Sequence, residues 1–431
     1  MKVLWLCNLP PEPVAADMGR PAARGGGWLT GLLQTMEKQP GVSLMICFPL
    51  FGEQTPVRGK IGKTEYNGFP SPVSQLLRYR PALEEAFRQI LQEFAPDVVH
   101  IFGTEYPHTL AMVNAFGRPD RTLIHIQGLC SVYAEHYLAG LPARVQRCWT
   151  VRDLLRWDNI EKQQKKFVKR GEYEREAIRK TNHFGVRTVW DSACVGQIHP
   201  GAARHHLGES LRTPFYEGHW RLEGCESHRI FVSQWNYPIK GFHFLLKALP
   251  LILRQYPDTK VFAAGEDSLK DSSFRAKLRR SSYFQYLRQL LLSPGLLDHV
   301  FFVGGCDADQ MREQFEKAHV FVSPSVLENS SNSIGEAMLT GTPVVASRTG
   351  GTESLLEHGK EGLLYQCDSA EMLAYSVCRI FGDDALAQEL SANARRRAQE
   401  THDREKNARG VLAVYEELCG LWGAAQKEEE K

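Results

Sequence analysis

The stretch HVFVSPSVLENSSNSIGEAMLTGTPVVAS, from His319 to Ser347, contains a complete strand, loop, helix and strand pattern. Its two ends, HVFVSP and TPVVAS, are short apolar runs rich in β-branched residues, which is typical of buried strands. Between them lie a polar loop and an apolar helix that Gly341 ends. Because strands joined through a crossover helix run parallel, this stretch predicts one βαβ unit of a parallel sheet.

The same pattern repeats along the chain in two series. The strand-like runs are 2–7, 42–48, 98–102, 122–126 and 184–188 in the first half, and 229–234, 259–265, 299–304, 319–324 and 342–347 in the second. Helical patterns such as that of 81–94 separate them. Apolar strands that alternate with helices predict parallel sheets covered on both faces, so we expect an α/β protein with two doubly wound, Rossmann-like domains.

The region 199–228 lacks clear periodicity and is rich in Gly, His and Pro, so we predict a linker there. The first domain then covers 1–198 and the second 229–403. A C-terminal helix at about 404–421 is a candidate to pack back on the first domain. In such pairs of domains, ligands bind in the cleft that faces the carboxyl ends of the strands.

Composition restricts the class of protein. A chain of 431 residues is too long for one core, and a formal net charge of +2 gives no support for a nucleic-acid binder. Ten cysteines without a C-x-x-C pair indicate free thiols in a reducing compartment. The amino terminus lacks the apolar core of a signal peptide, and no run approaches a membrane span. We therefore expect a cytoplasmic protein.

Two glutamates in the first stretch, Glu328 and Glu336, are open to two interpretations. Ser333 and Glu336 match a capping box, in which the two side chains satisfy the first N–H groups of a helix. Capping explains neither Glu328 nor the polar loop 329–332. That loop lies between the carboxyl end of a strand and the start of a helix, where backbone N–H groups favour phosphate.

Three other loops have matching chemistry. They are Arg24–Trp28 (RGGGW), Lys240-Gly241 and Arg348–Glu353 (RTGGTE). Glycine lets a backbone approach phosphate closely, and lysine supplies a counter-charge. Each loop alone is equally consistent with a flexible turn or a solvated side chain. Together they predict an anion-binding site at the carboxyl ends of the strands.

Glu328-x₇-Glu336, Lys240-Gly241, Gly25-Gly26-Gly27 and GTPVVASRTGG resemble retaining glycosyltransferases of family 4, which have the GT-B fold. Stretches such as HIFGTEYPHTLAM are most similar to bacterial enzymes that assemble capsular or exopolysaccharide repeats. The resemblance implies a hexosyltransferase that takes a sugar from a nucleotide-sugar donor, with a UDP-sugar favoured. The acceptor is a saccharide or a polyprenyl-diphosphate-linked saccharide, and neither a metal nor another cofactor is required.

The resemblance also implies roles for individual residues. Glu336 binds the ribose hydroxyls of the nucleotide, since a carboxylate can accept two hydrogen bonds from a diol. Glu328 holds hydroxyls of the donor sugar, and Lys240 neutralises the diphosphate. Gly26 and Gly27 face the diphosphate from the first domain.

Asn332 and Ser333 complete the implied donor site, together with the residue at position 234. The family usually has an arginine there, whereas this chain has Gln234. Arg348 and Arg24 are the candidates that replace the missing charge.

A second departure lies at the end of the fourth strand, where the family commonly has a histidine. Gln127 aligns best with it, so the implied catalytic set is Glu328, Lys240, Gln127 and His125. His125 fits a core or wall position as well as a site position, and His108 is another candidate. Gln234 and Gln127 keep open one alternative, a non-catalytic GT-B binding subunit. A nucleotide-sugar 2-epimerase, which shares this fold but has its own catalytic carboxylates and histidine, is the other. A nicotinamide dehydrogenase is disfavoured because G-x-G-x-x-G does not follow the first strand.

Two further patterns have two interpretations each. Asp307-Ala-Asp309 spells a metal-binding D-x-D, but it precedes a helical run and favours helix capping. The stretch 152–182 has ten Lys/Arg against six Asp/Glu, and 274–289 has five Lys/Arg with no acid. Solvated helix faces explain both stretches, and for 152–182 peripheral contact with anionic lipid on the inner face of the cell membrane is a second explanation.

Overall fold

The computed structural model describes residues 1–21, 26–72, 77–292 and 295–420. In chain order its strands are β1 (Lys2–Leu6), β2 (Ser43–Phe51), β3 (Val57–Ile61), β4 (Thr64–Ser71), β5 (Val98–Phe102), β6 (Thr122–His125), β7 (His183–Val186), β8 (Ala203–His206), β9 (Glu226–Val232), β10 (Lys260–Ala263), β11 (Val300–Phe302), β12 (Ala318–Ser323), β13 (Val344–Arg348) and β14 (Leu363–Gln366).

The α-helices are α1 (Glu12–Asp17), α2 (Gly27–Met36), α3 (Pro81–Phe94), α4 (His108–Phe116), α5 (Cys130–His136), α6 (Ala143–Gln146), α7 (Val151–Arg156), α8 (Ile160–Arg179), α9 (Val189–Ile198), α10 (Thr213–Glu217), α11 (Phe242–Leu253), α12 (Phe274–Arg279), α13 (Ser282–Leu292), α14 (Ala308–Lys317), α15 (Asn332–Thr340), α16 (Thr352–Leu355), α17 (Ala370–Phe381), α18 (Asp384–Thr401) and α19 (Arg404–Leu418). None of the helices in the described ranges has both the length and the apolar character needed to cross a lipid bilayer.

The chain forms two compact units that are not contiguous in sequence. Unit 1 contains Met1–Val132, Val168–Arg212 and the chain from His402. Unit 2 contains Tyr133–Phe167 and Thr213–Thr401. The sequence-based boundaries place 133–167 in the first domain, but in the structure this segment groups with the second unit. It does so because α6 and α7 pack on α13 and α12.

Unit 1 is built on an eight-stranded sheet in the order β3-β4-β2-β1-β5-β6-β7-β8. All neighbouring pairs are parallel except β3 and β4, which are antiparallel. The prediction of a purely parallel sheet is therefore wrong at this edge. Strand β3 carries Arg58 and Lys60, and charged residues are typical of edge strands because they discourage pairing with another chain.

Both faces of the first sheet are covered, as apolar strands alternating with helices predict. Along β1, Leu4 and Leu6 point into a core shared with helices α3 and α4. Val3 and Trp5 point into a second core, to which α2 and α19 contribute. The indole of Trp5 donates a 2.8 Å hydrogen bond to the hydroxyl of Tyr415 in α19. The C-terminal helix is thus part of the packed structure of unit 1.

Unit 2 is built on a six-stranded sheet in the order β11-β10-β9-β12-β13-β14, and every pair is parallel. Strands β9 and β12 are buried along most of their length. Helix α11 begins directly after Gly241 and buries its apolar side against the rest of the unit. Strands β9, β12 and β13 are neighbours, so the loops that follow their carboxyl ends meet at one edge.

Candidate functional site

Lys240 and Glu328 meet at the carboxyl edge of the second sheet. Lys240 ends the short turn that follows β9, and Glu328 lies in the loop after β12. The ammonium of Lys240 donates to a carboxylate oxygen of Glu328 at 2.6 Å, and the hydroxyl of Ser325 donates to the same oxygen at 2.6 Å. The sequence predicted that the two loops meet, but not that these side chains form an ion pair.

Two glycines allow the loops around this pair to pack closely. Gly241 has a φ of 64°, and a Cβ there would overlap the carbonyl oxygen of Pro324. Gly350 has a φ of 52°, and a Cβ there would overlap the carbonyl oxygen of Glu328. The next residue, Gly351, donates its N–H to that same carbonyl at 3.0 Å. The RTGGTE loop therefore holds the backbone of Glu328 in place.

The charge of Lys240 depends on its partner. Burial of Lys240 disfavours the ammonium and lowers its pKa, but the carboxylate of Glu328 and the ring of Tyr237 together raise the pKa above its usual value. Lys240 is therefore a cation at every physiological pH. Its nitrogen lies 5.9 Å from the centre of the Tyr237 ring, and that ring is 37% exposed. Neither Tyr237 nor Ser325 was predicted from the sequence as a site residue.

Helix α15 begins two residues too early for the predicted capping box. Its N-cap is Ser331 and its first residue is Asn332, so Ser333 lies within the first turn. A capping box would then require an acidic or amide side chain at position 334, which is Ile334. The capping-box interpretation of Ser333 and Glu336 is therefore wrong. Glu336 lies in the second turn and is 5% exposed, with its backbone carbonyl accepting from Thr340.

The other residues that the resemblance assigns to donor binding lie in different surroundings. Gln234 is exposed, directly after β9. Arg348 ends β13 and forms an exposed ion pair of 3.1 Å with Glu353. Arg24 and Gly25 lie outside the described residues. Gly26 is the N-cap of α2, and a Cβ on Gly27 would overlap the side chain of Arg212.

In unit 1, His125 is a core residue and not an accessible base. It is 1% exposed, and its ring stacks on His100 with centroids 5.7 Å apart. Neither ring nitrogen has a hydrogen-bond partner among the described residues. Burial and the nearby guanidinium of Arg187 lower the pKa of His125 to about 3, so the imidazole is neutral.

Gln127 belongs to a polar cluster that was not predicted from the sequence. Its side-chain amide donates to Glu209 at 2.5 Å, and its backbone carbonyl accepts from Arg187 at 3.1 Å. Arg187 and Glu209 form a buried ion pair. These residues follow β6, β7 and β8, which are neighbours in the sheet, but 60 and 82 positions separate them from Gln127 along the chain. No local pattern could have connected them.

His108 lies in a second cluster at the same edge of unit 1. Its Nε2 is 2.8 Å from the amide oxygen of Asn8, whose nitrogen donates to Glu105 at 2.8 Å. Burial lowers the pKa of His108 to about 3 and raises that of Glu105 to about 7. Asn8 and Glu105 follow β1 and β5. Both clusters thus line the carboxyl ends of the first sheet.

Two groups of potential metal ligands have explanations that need no ion. The carboxylate of Asp307 accepts a hydrogen bond from the N–H of Gln310 at 2.9 Å. The N–H of Asp307 in turn donates to the side-chain amide oxygen of Gln310. The capping interpretation of Asp307 is confirmed. His183, His205 and Glu417 also lie together in unit 1. The two rings are 3.1 Å apart between Nδ1 and Nε2, which is a hydrogen-bond distance.

Residues 227–397 match the family model described as Glycosyl transferases group 1. An uncharacterized glycosyltransferase of Methanocaldococcus jannaschii is 28% identical over 202 residues. The alignment covers 47% of this chain and 48% of that protein, so the chain spans about half the length of its curated relative. The matched family region contains Lys240, Glu328 and Glu336, the residues around which the site is built.

Solved structures match over nearly the whole chain. Sucrose-phosphate synthase from Thermosynechococcus elongatus has a TM-score of 0.69 at 17% identity, covering 98% of this chain and 100% of its own. The HepE protein of Anabaena, solved in complex with UDP-glucose, has a TM-score of 0.63 at 17% identity, covering 96% and 100%. At these identities the likeness concerns the fold alone. With its two Rossmann-like units, the chain has the GT-B fold.

Proposed function

We propose that this protein is a retaining glycosyltransferase of the family 4 type. It moves a hexosyl group from a nucleotide-diphosphate sugar to a saccharide or lipid-linked saccharide in surface polysaccharide synthesis. The observation that carries this proposal is the ion pair of 2.6 Å between Lys240 and Glu328 at the carboxyl edge of the second sheet. It joins one cation for a diphosphate and one carboxylate for sugar hydroxyls within a single site.

The proposed donor pose follows from the chemistry of these side chains. Glu336 accepts hydrogen bonds from the ribose diol, and Asn332 and Ser333 lie in the first turn of the same helix. The N-terminus of α15 favours the phosphates, since its N–H groups point towards an anion. Lys240 stabilises the charge that grows on the diphosphate as the glycosidic bond breaks. A UDP-sugar is the favoured donor, and the HepE structure with UDP-glucose supports this choice.

Retention without an enzymatic nucleophile is consistent with a front-face displacement. The bond between the anomeric carbon and the diphosphate breaks, and the acceptor oxygen forms its bond on the same face. The leaving phosphate takes the proton of the acceptor hydroxyl. In this scheme the protein supplies positioning and charge stabilisation, and no divalent cation is required. Gln127 and the two polar clusters of unit 1 are the candidate contacts for the acceptor.

A turnover assay with UDP-, GDP- and ADP-sugars tests the proposal, in the presence of excess EDTA and with a saccharide acceptor. We expect a UDP-sugar to be consumed only when an acceptor is present. Epimerised sugar nucleotide formed without acceptor would indicate the 2-epimerase. Donor binding without turnover, for every acceptor tried, would indicate the non-catalytic subunit. Loss of activity in EDTA with rescue by Mn²⁺ would contradict the metal-free scheme.

Variants of the residues proposed to contact the diphosphate test which side chain supplies its positive counter-charge. Lys240→Ala should lower kcat by a factor that corresponds to about 2–4 kcal/mol of transition-state stabilisation. Gln234→Arg should raise activity if no other cation occupies that space. If Arg348 or Arg24 already occupies it, Gln234→Arg will be neutral or harmful, and Arg348→Ala or Arg24→Ala will be damaging. An active protein in which Lys240→Ala changes nothing would overturn this placement of the diphosphate.

A further inference from the structure

Helix α7 in unit 2 exposes its leucine side chains to solvent and buries its acidic side chain. Its acidic residue, Asp153, is fully buried, whereas Leu155 is 81% exposed and Leu154 is 56% exposed. Trp157, directly after the helix, is 64% exposed. A helix on the surface of a globular protein normally turns its apolar side inward. Exposed apolar side chains in such a row indicate a surface that contacts another apolar phase.

The reversal is fixed by hydrogen bonds and is not the result of a loose segment. Asp153 forms a capping box with Thr150, whose hydroxyl accepts from the N–H of Asp153 at 3.1 Å. The same carboxylate accepts the N–H of Ser282, the first residue of α13, at 2.9 Å. Arg152 donates to it from the surface at 3.0 Å. Asp153 therefore anchors α7 with its leucines pointing outward.

Helix α12 adds a second row beside α7. Phe274 at its start is 74% exposed, and Leu278 lies one turn further on. A surface depression of about 510 Å³ separates the two helices. It is lined by Arg152, Leu155, Arg156, Leu278 and Arg279. The starts of the two basic stretches, 122 positions apart in the sequence, thus form one surface, which we call the α7–α12 surface.

The positive charge of the α7–α12 surface indicates an anionic partner. The helix sequences VRDLLR and FRAKLR contain five basic residues, and their one acid is buried. Arg156, Arg275, Lys277 and Arg279 are exposed around the apolar side chains. Apolar side chains that insert among headgroups, surrounded by cations that bind phosphate, are the pattern of proteins that bind anionic bilayers.

We propose that the α7–α12 surface binds the headgroup region of a bilayer that contains anionic lipid. Residues 264–273 lead from the carboxyl end of β10 to α12. The connection to helix α12 therefore starts at the edge of the second sheet at which Lys240 and Glu328 meet. Binding to the bilayer itself does not depend on transferase activity.

Co-sedimentation of the full chain with vesicles tests this proposal. We compare phosphatidylcholine vesicles with vesicles that contain about one-third phosphatidylglycerol, enough for a marked negative surface potential. The wild type should bind the anionic vesicles, more weakly as salt rises. The double variant Leu155→Ser with Phe274→Ser should bind roughly tenfold more weakly, because two inserting side chains are lost. Arg156→Gln with Arg279→Gln should weaken binding and flatten its salt dependence.

The matched control is Met372→Ser with Tyr375→Ser. These side chains are 43% and 58% exposed on α17, in the same unit but outside the α7–α12 surface. The control should bind vesicles as the wild type does. Equal binding to neutral and anionic vesicles, or full binding by the Leu155 and Phe274 variant, would overturn the proposal. So would a dimer, measured by light scattering, that this variant dissociates, because a second copy would then cover the surface. A UDP-dependent thermal shift, measured without vesicles, tests the donor site separately.

Discussion

At the scale of single residues, the pair of Lys240 and Glu328 makes a prediction about pH. Burial lowers the pKa of Lys240, and the carboxylate of Glu328, together with Tyr237, more than reverses this effect. In Glu328→Gln the carboxylate charge is lost while most of the burial remains. The pKa of Lys240 should then fall, and the ammonium should lose its proton as pH rises. The diphosphate would lose its counter-charge at alkaline pH.

The measurement is the affinity for UDP between about pH 7 and pH 10, the range in which lysine pKa values fall when the charge is not compensated. The wild type should show no change caused by Lys240, because its pKa is raised. Glu328→Gln should weaken by at least about tenfold across this range. Glu353→Gln is the matched control, since it removes a carboxylate from the exposed pair with Arg348. A flat profile for Glu328→Gln would show that Glu328 does not hold the charge of Lys240.

The proximity of Lys240 and Glu328 could be predicted because each lies beside a loop signal in the sequence. Lys240 precedes a glycine that starts a helix, and Glu328 precedes a polar loop. The unit 1 cluster of Gln127, Arg187 and Glu209 could not be predicted in this way. Its members come from three strand ends, and only the order of strands in the sheet brings them together.

At the scale of elements, the register of α15 decides what Glu336 does. With Ser331 at the N-cap, Glu336 lies in the second turn and cannot return a bond to the N-cap. Glu336→Gln should therefore change the melting temperature little. It should weaken UDP binding by about 1.5–3 kcal/mol, the value of a hydrogen bond to a charged group. Thermal unfolding and calorimetry measure the two effects separately.

Asp307→Ala is the contrasting variant, because Asp307 is a true cap in the described structure of α14. It should cost about 1 kcal/mol of stability and leave UDP affinity unchanged. If Glu336→Gln instead lowers stability and spares UDP affinity, Glu336 is a structural residue. The sequence suggested a capping box at Ser333 because serine and glutamate stood three positions apart. Only the observed start of the helix excludes that interpretation.

At the scale of the whole molecule, the sequence missed four strands of the described structure, β3, β4, β8 and β14, although β4 and β14 are largely buried. Strands β3 and β8 lie at the two edges of the first sheet and are polar, as in ARHH of β8. Edge strands do not need a continuous apolar run, so the strongest signal of a strand is absent from them. The assignment of 133–167 to unit 2 was also hidden, because it depends on contacts between residues far apart in sequence, such as that of Asp153 with Ser282.

The last prediction concerns the C-terminal helix, because the chain from His402 is part of unit 1. Helix α19 buries Ala408, Val411, Val414, Tyr415 and Leu418. A chain that ends at Thr401 exposes the face of the sheet that contains Val3 and Trp5. Burying one such apolar side chain is worth about 1.5–3 kcal/mol, so the loss should approach the whole stability of a domain, about 5–15 kcal/mol. Unit 1 should then unfold.

Calorimetry distinguishes this outcome from a general loss of structure. The truncated chain should keep one unfolding transition, that of unit 2, and this transition should still shift with UDP because Lys240, Glu328 and Glu336 lie in unit 2. Tyr415→Phe is the milder variant. It removes the hydroxyl that accepts from Trp5 at 2.8 Å and contacts Nδ1 of His100 at 2.5 Å, at a cost of about 1–3 kcal/mol. A truncated chain that keeps both transitions would show that α19 covers a surface which unit 1 does not need, and one that keeps neither would show that the two units fold only together.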